Sequence, residues 1–290
     1  MRLAASASVV CLPVLFGCAS SPDEPPGPPA KESVVALTTQ HELIRFNAGR
    51  PGQLLSSTPL SGLPAHERLV GLDFRVARGE LFALGRLGQL YRIDVAKASA
   101  MPVGAPIAVE LRGQRFGFDF NPTVDRIRVV SDAAQNLRLH PDTGAAVDAD
   151  PKADGMQTDG TLAYDAADAN AGRAPAIVAA AYTYNPDNDK ITTNYAIDAR
   201  QGVLVTQGSR EGAQPAVSPN TGRLFTVGPL GTGAFEHADF DISDVKNVAY
   251  AALTPAGGTS VFYRIDLATG AATRIGSVGG KTLVGMAIEP

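Results

Sequence analysis

The chain has no tryptophan, only two cysteines and 6 % aromatic residues among its 290. So few flat rings argue against an aromatic platform for stacking sugars or bases. Long stretches with a 3.6-residue apolar period are also missing, which argues against helical bundles and coiled coils. No basic run occurs and the formal charge is −4, so nothing suits a nucleic-acid backbone or a polybasic contact with acidic lipid. There is no G-x-S-x-G elbow, no H-E-x-x-H pair and no P-loop. Both cysteines, Cys11 and Cys18, lie near the start, so the rest of the chain holds no disulfide and depends on its own core. The four histidines, His41, His66, His140 and His237, are scattered and read as surface or turn positions.

What is present starts at the N-terminus. Arg2 is followed by an apolar stretch from Leu3 to Phe16, too short and too Pro-interrupted for a permanent membrane span. Leu15-Phe16-Gly17-Cys18 resembles the lipobox of bacterial lipoproteins, with Gly17 as the small residue before the cysteine. Residues 1–17 therefore read as a cleavable signal and Cys18 as the lipidated N-terminus of the mature chain. Residues 18–33, rich in Pro, Ser and charge, read as a disordered tether. Ser20 stands two positions after Cys18, where an aspartate would mark inner-membrane retention. The expected address is the bacterial envelope, at the outer membrane on its periplasmic side. The membrane is then one partner, through the lipid.

From Val34 to Pro290 the sequence is built of short apolar runs, broken by Gly, Pro, Asn and Asp every eight to twelve residues. That is an all-β pattern, and it repeats. LVGLDFRV (69–76), RFGFDFNP (115–122), HADFDISD (237–244) and LVGMAIEP (283–290) are alike as first strands. Second strands follow as ELFALG, RIRVVS and NVAYAAL. Third strands follow as QLYRID, NLRLHP and VFYRID. A divergent unit starts at AAAYTYNPDNDK (179–190). LVGMAIEP is a first strand with nothing after it, while residues 34–55 supply later strands with no first strand before them. Complementary ends of this kind predict a β-propeller, closed by pairing the C-terminal strand with the N-terminal ones. First strands near Leu72, Phe118, Tyr182, Phe240 and Met286 predict five blades of four strands, or six if two are merged between 145 and 235.

Asp73, Asp119 and Asp241 hold the same place in three first strands, with Thr183 and Ala287 in the other two. First strands are innermost in a propeller, so these groups should recur around the axis. Each aspartate could take hydrogen bonds from a neighbouring blade, as a buried carboxylate requires. Alternatively the ring could hold a polar ligand or a divalent cation such as calcium. In the second repeat, Arg126 and Arg128 share one strand face, and Asn136 and Arg138 share a face of the next. Arginine suits planar recognition of carboxylate or phosphate, though these could equally pair with aspartates between blades or stay solvated. Asp148, Asp150, Asp154 and Asp159 lack EF-hand spacing. Asn185, Asp187 and Asp189 have it, but Lys190 stands where glycine belongs. Both groups read as solvated turns.

The run FDFNP, DRIRVV, QNLRL and PDTG between Gly117 and Gly144, with DGTLAYDAADANAG (159–172) and LVTQ (204–207), resembles the bacterial domain of unknown function catalogued as number 4394. The likeness covers nearly all of residues 34–290. It implies an extracytoplasmic propeller-like domain and transfers no active-site residue. His140 stands where that pattern has asparagine, and Asp239 where it has glycine. The leading expectation is a non-enzymatic, lipid-anchored propeller that binds a protein or small ligand. The alternatives are a metal-dependent hydrolase or lactonase-type enzyme using channel carboxylates, and a purely structural envelope protein.

Overall fold

A computed structural model describes residues 27–290. The signal at 1–17 and Cys18 lie outside them. The alternating runs form strands in chain order: β1 (Ser33–Thr38), β2 (Glu42–Asn47) and β3 (Leu54–Pro59), then β4 (Leu69–Arg75), β5 (Glu80–Gly85), β6 (Leu90–Asp94) and β7 (Ser99–Val103). β8 (Phe116–Asn121), β9 (Arg126–Ser131) and β10 (Asn136–Leu139) make the third group. A short β11 (Ala163–Tyr164) precedes β12 (Ile177–Tyr182), β13 (Asn194–Asp198), β14 (Val203–Gln207) and β15 (Arg223–Pro229). β16 (His237–Ile242), β17 (Ala249–Thr254), β18 (Val261–Ile265) and β19 (Ala272–Ser277) follow, and β20 (Leu283–Ile288) ends the sequence.

These strands form five blades around an axis, the arrangement of a β-propeller. The first blade has the order β20-β1-β2-β3. β20 runs antiparallel to β1, with Val34 opposite Ile288 and Ala36 opposite Met286. The closure expected from the complementary ends is therefore present. Strand position explains the burial patterns. Inner strands such as β12 and β16 are buried at every residue, because neighbouring blades cover both faces. Outer strands alternate, as in β2, where Ile44 and Phe46 are buried and Arg45 is exposed. The core lies between blades. Phe46 of the first blade meets Phe262 of the fifth edge-on at 5.2 Å, and Tyr250 stacks on Phe262 at 5.3 Å. Truncating a ring in such a contact to alanine costs about 3–5 kcal/mol.

Two departures from the expected pattern matter. Residues 27–32, expected as tether, are docked on the first blade. Asn47 accepts from the Ala30 N–H at 2.8 Å and donates to the Ala30 and Glu32 carbonyls, while Arg50 Nε donates to the Gly27 carbonyl. The physical reason is one amide side chain that offers both donor and acceptor to a Pro-rich backbone. The second departure is in strand number. The third blade has three strands, and the chain after β10 makes only an isolated bridge, Leu139 with Ala146. It then crosses to the fourth blade, where β11 joins β15 in parallel as a fifth strand.

Candidate functional site

The inner strands set the level of each axial residue. Gly71, Gly117, Ala179, Asp239 and Gly285 surround a cavity of about 20 Å³. Neighbouring strands approach so closely here that a Cβ on Gly71 would lie 2.4 Å from Phe118 Cβ, and one on Gly285 2.7 Å from Leu72 Cβ. Asp239 is the one long side chain at this level. Its Oδ1 lies 3.1 Å from His237 Nε2, and both residues are buried. Asp239 Oδ2 and His237 Nδ1 are buried without a partner. His237 is thus neither a surface nor a turn residue. The fold puts it on an inner strand, covered by adjoining blades.

Two residues further along come the aspartates. Asp73 Oδ2 accepts the Phe120 N–H at 2.7 Å, Asp119 Oδ1 the Tyr182 N–H at 3.0 Å, and Asp241 Oδ2 the Ile288 N–H at 2.6 Å. Each bond joins one inner strand to that of the next blade, so the scaffold contact expected of these groups is made three times. The three carboxylates also converge: one oxygen from each lies within 4.8 Å of the other two. Burial, reinforced by Asp241, raises the Asp73 carboxyl well above the ordinary range. Burial, then Asp73 and Asp241, does the same to Asp119. Asp241 is pushed up to about 7 by burial, against the N–H groups of Ile288 and Ile242. Tyr184, beside them, is raised by burial and then by the same three carboxylates.

Thr183 does not belong to this ring. The N–H that Asp119 holds is that of Tyr182, which follows Ala181 as Phe120 follows Asp119 and Ile288 follows Ala287. Ala181 is therefore the equivalent residue. Thr183 lies one level further, where its hydroxyl accepts the Thr193 N–H at 2.9 Å.

The second region is a cleft of about 360 Å³ between the third and fourth blades, where the repeat breaks. Arg126, Arg128, Arg138, Tyr182 and Asn220 line it. Arg128 is 1 % exposed. Its Nη1 donates to Asp159 at 2.6 Å and to Asn136 at 2.8 Å, its Nη2 to Asn220 at 2.6 Å, and its Nε to the Tyr182 hydroxyl at 3.2 Å. Burial works against its charge, but Tyr182 and Asp159 outweigh that and hold its pKa above the ordinary value. Arg138 grips Asp159 through Nε and Nη2, both at 2.8 Å. Arg126 donates through Nη1 to the Asp125 carbonyl at 2.8 Å. Asn136 ties the blades together by donating to the Gly160 and Pro219 carbonyls and accepting from Gln207.

All four residues of the Arg/Asn constellation thus meet in one place. Asp159, expected in a solvated turn, is instead buried between two arginines. Asp148, Asp150 and Asp154 remain in turns, where Asp148 Oδ1 accepts from Asp150 and Gln157. Asn185 likewise caps its own turn by accepting from Asp187 and Asn188. Gln207 and Asn220 carried no local signal of their role.

Residues 42–287 match the family described as "Domain of unknown function (DUF4394)". No curated protein matches the chain. Among solved structures, a chain in the crystal structure of a nidogen/laminin complex is similar at 10 % identity and a TM-score of 0.44. That alignment covers 89 % of this chain and 98 % of the other.

Proposed function

The chain belongs to the DUF4394 family, and from that premise we propose that it is a binding propeller rather than an enzyme, held at the bacterial envelope by a lipid on Cys18. Its ligand on this reading is a small anionic molecule taken into the cleft between the third and fourth blades. The observation that carries the reading is the charge imbalance there. The guanidinium groups of Arg126, Arg128 and Arg138 line the cleft, and one carboxylate, Asp159, is paired with Arg128 and Arg138. Arg138 uses two nitrogens on Asp159 and Arg126 uses one on backbone carbonyls, so each keeps donors for a ligand. Arginine donors fixed in advance suit a carboxylate or phosphate group.

The hydrolase alternative would need the axial aspartates to meet a substrate. They are 4–7 % exposed, and the cavity beside them is about 20 Å³, room for one water-sized group. The anchor rests on the Leu15–Cys18 motif, which is followed by a Pro-rich segment. Calorimetric titration with succinate and with inorganic phosphate tests the ligand class. Binding by the parent should weaken at least about tenfold in Arg126→Gln. No binding of either anion, or equal binding by the variant, overturns the cleft assignment. Palmitate labelling tests the anchor and should be lost in Cys18→Ser.

A further inference from the structure

Asp73, Asp119 and Asp241 are buried acidic groups on the axis that the cleft does not use. Three carboxylates converge there, and among the described residues none of them forms a salt bridge with Lys, Arg or His. Their hydrogen bonds described above come from backbone N–H groups of the strands. An N–H group stabilises a carboxylate without cancelling its charge, so mutual repulsion persists in a water-poor interior.

We infer that the propeller axis binds one divalent cation through Asp73, Asp119 and Asp241, and that its chemistry selects calcium. Three oxygens separated by at most 4.8 Å fit around a centre at most about 2.8 Å from each. Magnesium keeps several waters and is usually held by one or two carboxylates, whereas calcium accepts many protein oxygens in place of water, so three buried carboxylates favour calcium. An all-oxygen, carboxylate-rich set excludes the softer metals that prefer sulfur or imidazole.

A second, independent observation comes from Asp239. It lines the axial cavity two residues before Asp241, it is buried, and its Oδ2 has no partner. A buried acceptor left unpaired costs about 1–3 kcal/mol, so it calls for a donor. The cavity has room for one water-sized group. Calcium takes six to eight ligands and fills those the protein does not supply with water. A water on the ion would supply the donor that Asp239 lacks.

Each aspartate accepts an interblade N–H, and one oxygen from each lies within 4.8 Å of the other two. Asp241 accepts an N–H on both oxygens, so there the ion would share an oxygen with an N–H through a second lone pair. Loading the ion would therefore tie the second, third and fifth blades together through one centre.

The test uses purified full-domain protein. Metal analysis should find about one calcium per chain. After EDTA treatment the melting temperature should fall. Adding calcium at about 100-fold over its dissociation constant should restore it by about 5–10 °C. Asp119→Asn keeps an oxygen to accept the Tyr182 N–H but loses the charge, so it should fold and bind calcium at least about tenfold more weakly. Metal-free protein whose melt ignores both EDTA and calcium overturns the proposal. So does an Asp119→Asn variant that binds calcium as the parent does.

Discussion

Asp159 in the cleft and the three aspartates on the axis are all buried carboxylates, yet their neighbours differ. Asp159 lies between Arg128 and Arg138, and those arginines are themselves fixed by Asn136 and Asn220. Its charge is balanced by covalent parts of the same chain. Asp73, Asp119 and Asp241 have each other and backbone N–H groups. In the cleft the polypeptide itself thus completes the charge of its one buried carboxylate. The axis is charged in a way the polypeptide does not complete, and its stability must follow the solution around it: protons, or a cation. Repetition explains the contrast. One residue type at one level of several blades brings like charges together by symmetry, whereas the cleft lies where the blades stop being alike.

Removing the balance in the cleft should have the largest effect. Asp159→Ala leaves Arg128 buried beside Arg138 without their carboxylate, at a cost of about 3–5 kcal/mol. Denaturant unfolding should report that loss equally with and without EDTA. If chelation changed the loss, the two regions would not be independent.

pH separates them next, in protein kept free of metal. Asp241 has a folded pKa of about 7, above its ordinary 3.8. Between those values the folded state holds a proton that the unfolded state has lost. The corresponding stability is complete below about pH 4 and is lost as pH rises through about 7, about 4 kcal/mol at most from this group. A melting temperature that rises from pH 5 to pH 8 in EDTA would reverse the sign and remove the contrast.

Asp119→Ala takes away both the charge and the acceptor of the Tyr182 N–H, and should cost about 1–3 kcal/mol. Asp119→Asn keeps an acceptor and should cost less. Equal melts for the two variants would mean that the interblade bond contributes nothing measurable. The smallest change should be Asp239→Gly. It restores the residue found at Gly71, Gly117 and Gly285 and removes a buried oxygen without a partner. It also removes the Oδ1 that lies 3.1 Å from His237 Nε2, so in EDTA the gain and the loss should offset to within about 1 kcal/mol. A larger loss would show that the His237 bond outweighs the unpaired oxygen.

Much of the fold was legible because the repeat is written in neighbouring residues. The near-identical LYRID and FYRID mark third strands, and the FDF-type runs mark inner ones. The fourth blade shows the limit. AAAYTY opens on three like residues that set no register, and a slip of two residues leaves every side chain on the same face. Thr183 and Ala181 look equivalent until the Asp119 to Tyr182 bond sets the level. Asp159 was illegible for another reason. Its acidic, Gly-containing surroundings resemble a solvated turn, and its partners Arg128 and Arg138 lie on β9 and β10. His237 looked isolated because its burial depends on blades built from distant sequence. The Arg126, Arg128, Asn136 and Arg138 set was legible because two-residue spacing fixes a shared face before any tertiary contact forms.

The pairing of β1 with β20 also has a consequence in time. Val34 and Ile288, about 250 residues apart, must meet before the first blade has its inner strand. During synthesis β1 precedes β20 with one edge unsatisfied, and the other four blades can assemble before that edge is covered. The ring is therefore finished in a single late step that joins the earliest-made strand to the last. Until then the growing chain carries a vacant strand position that a neighbouring chain could occupy, so the hazard of this architecture belongs to its assembly and not to its finished form.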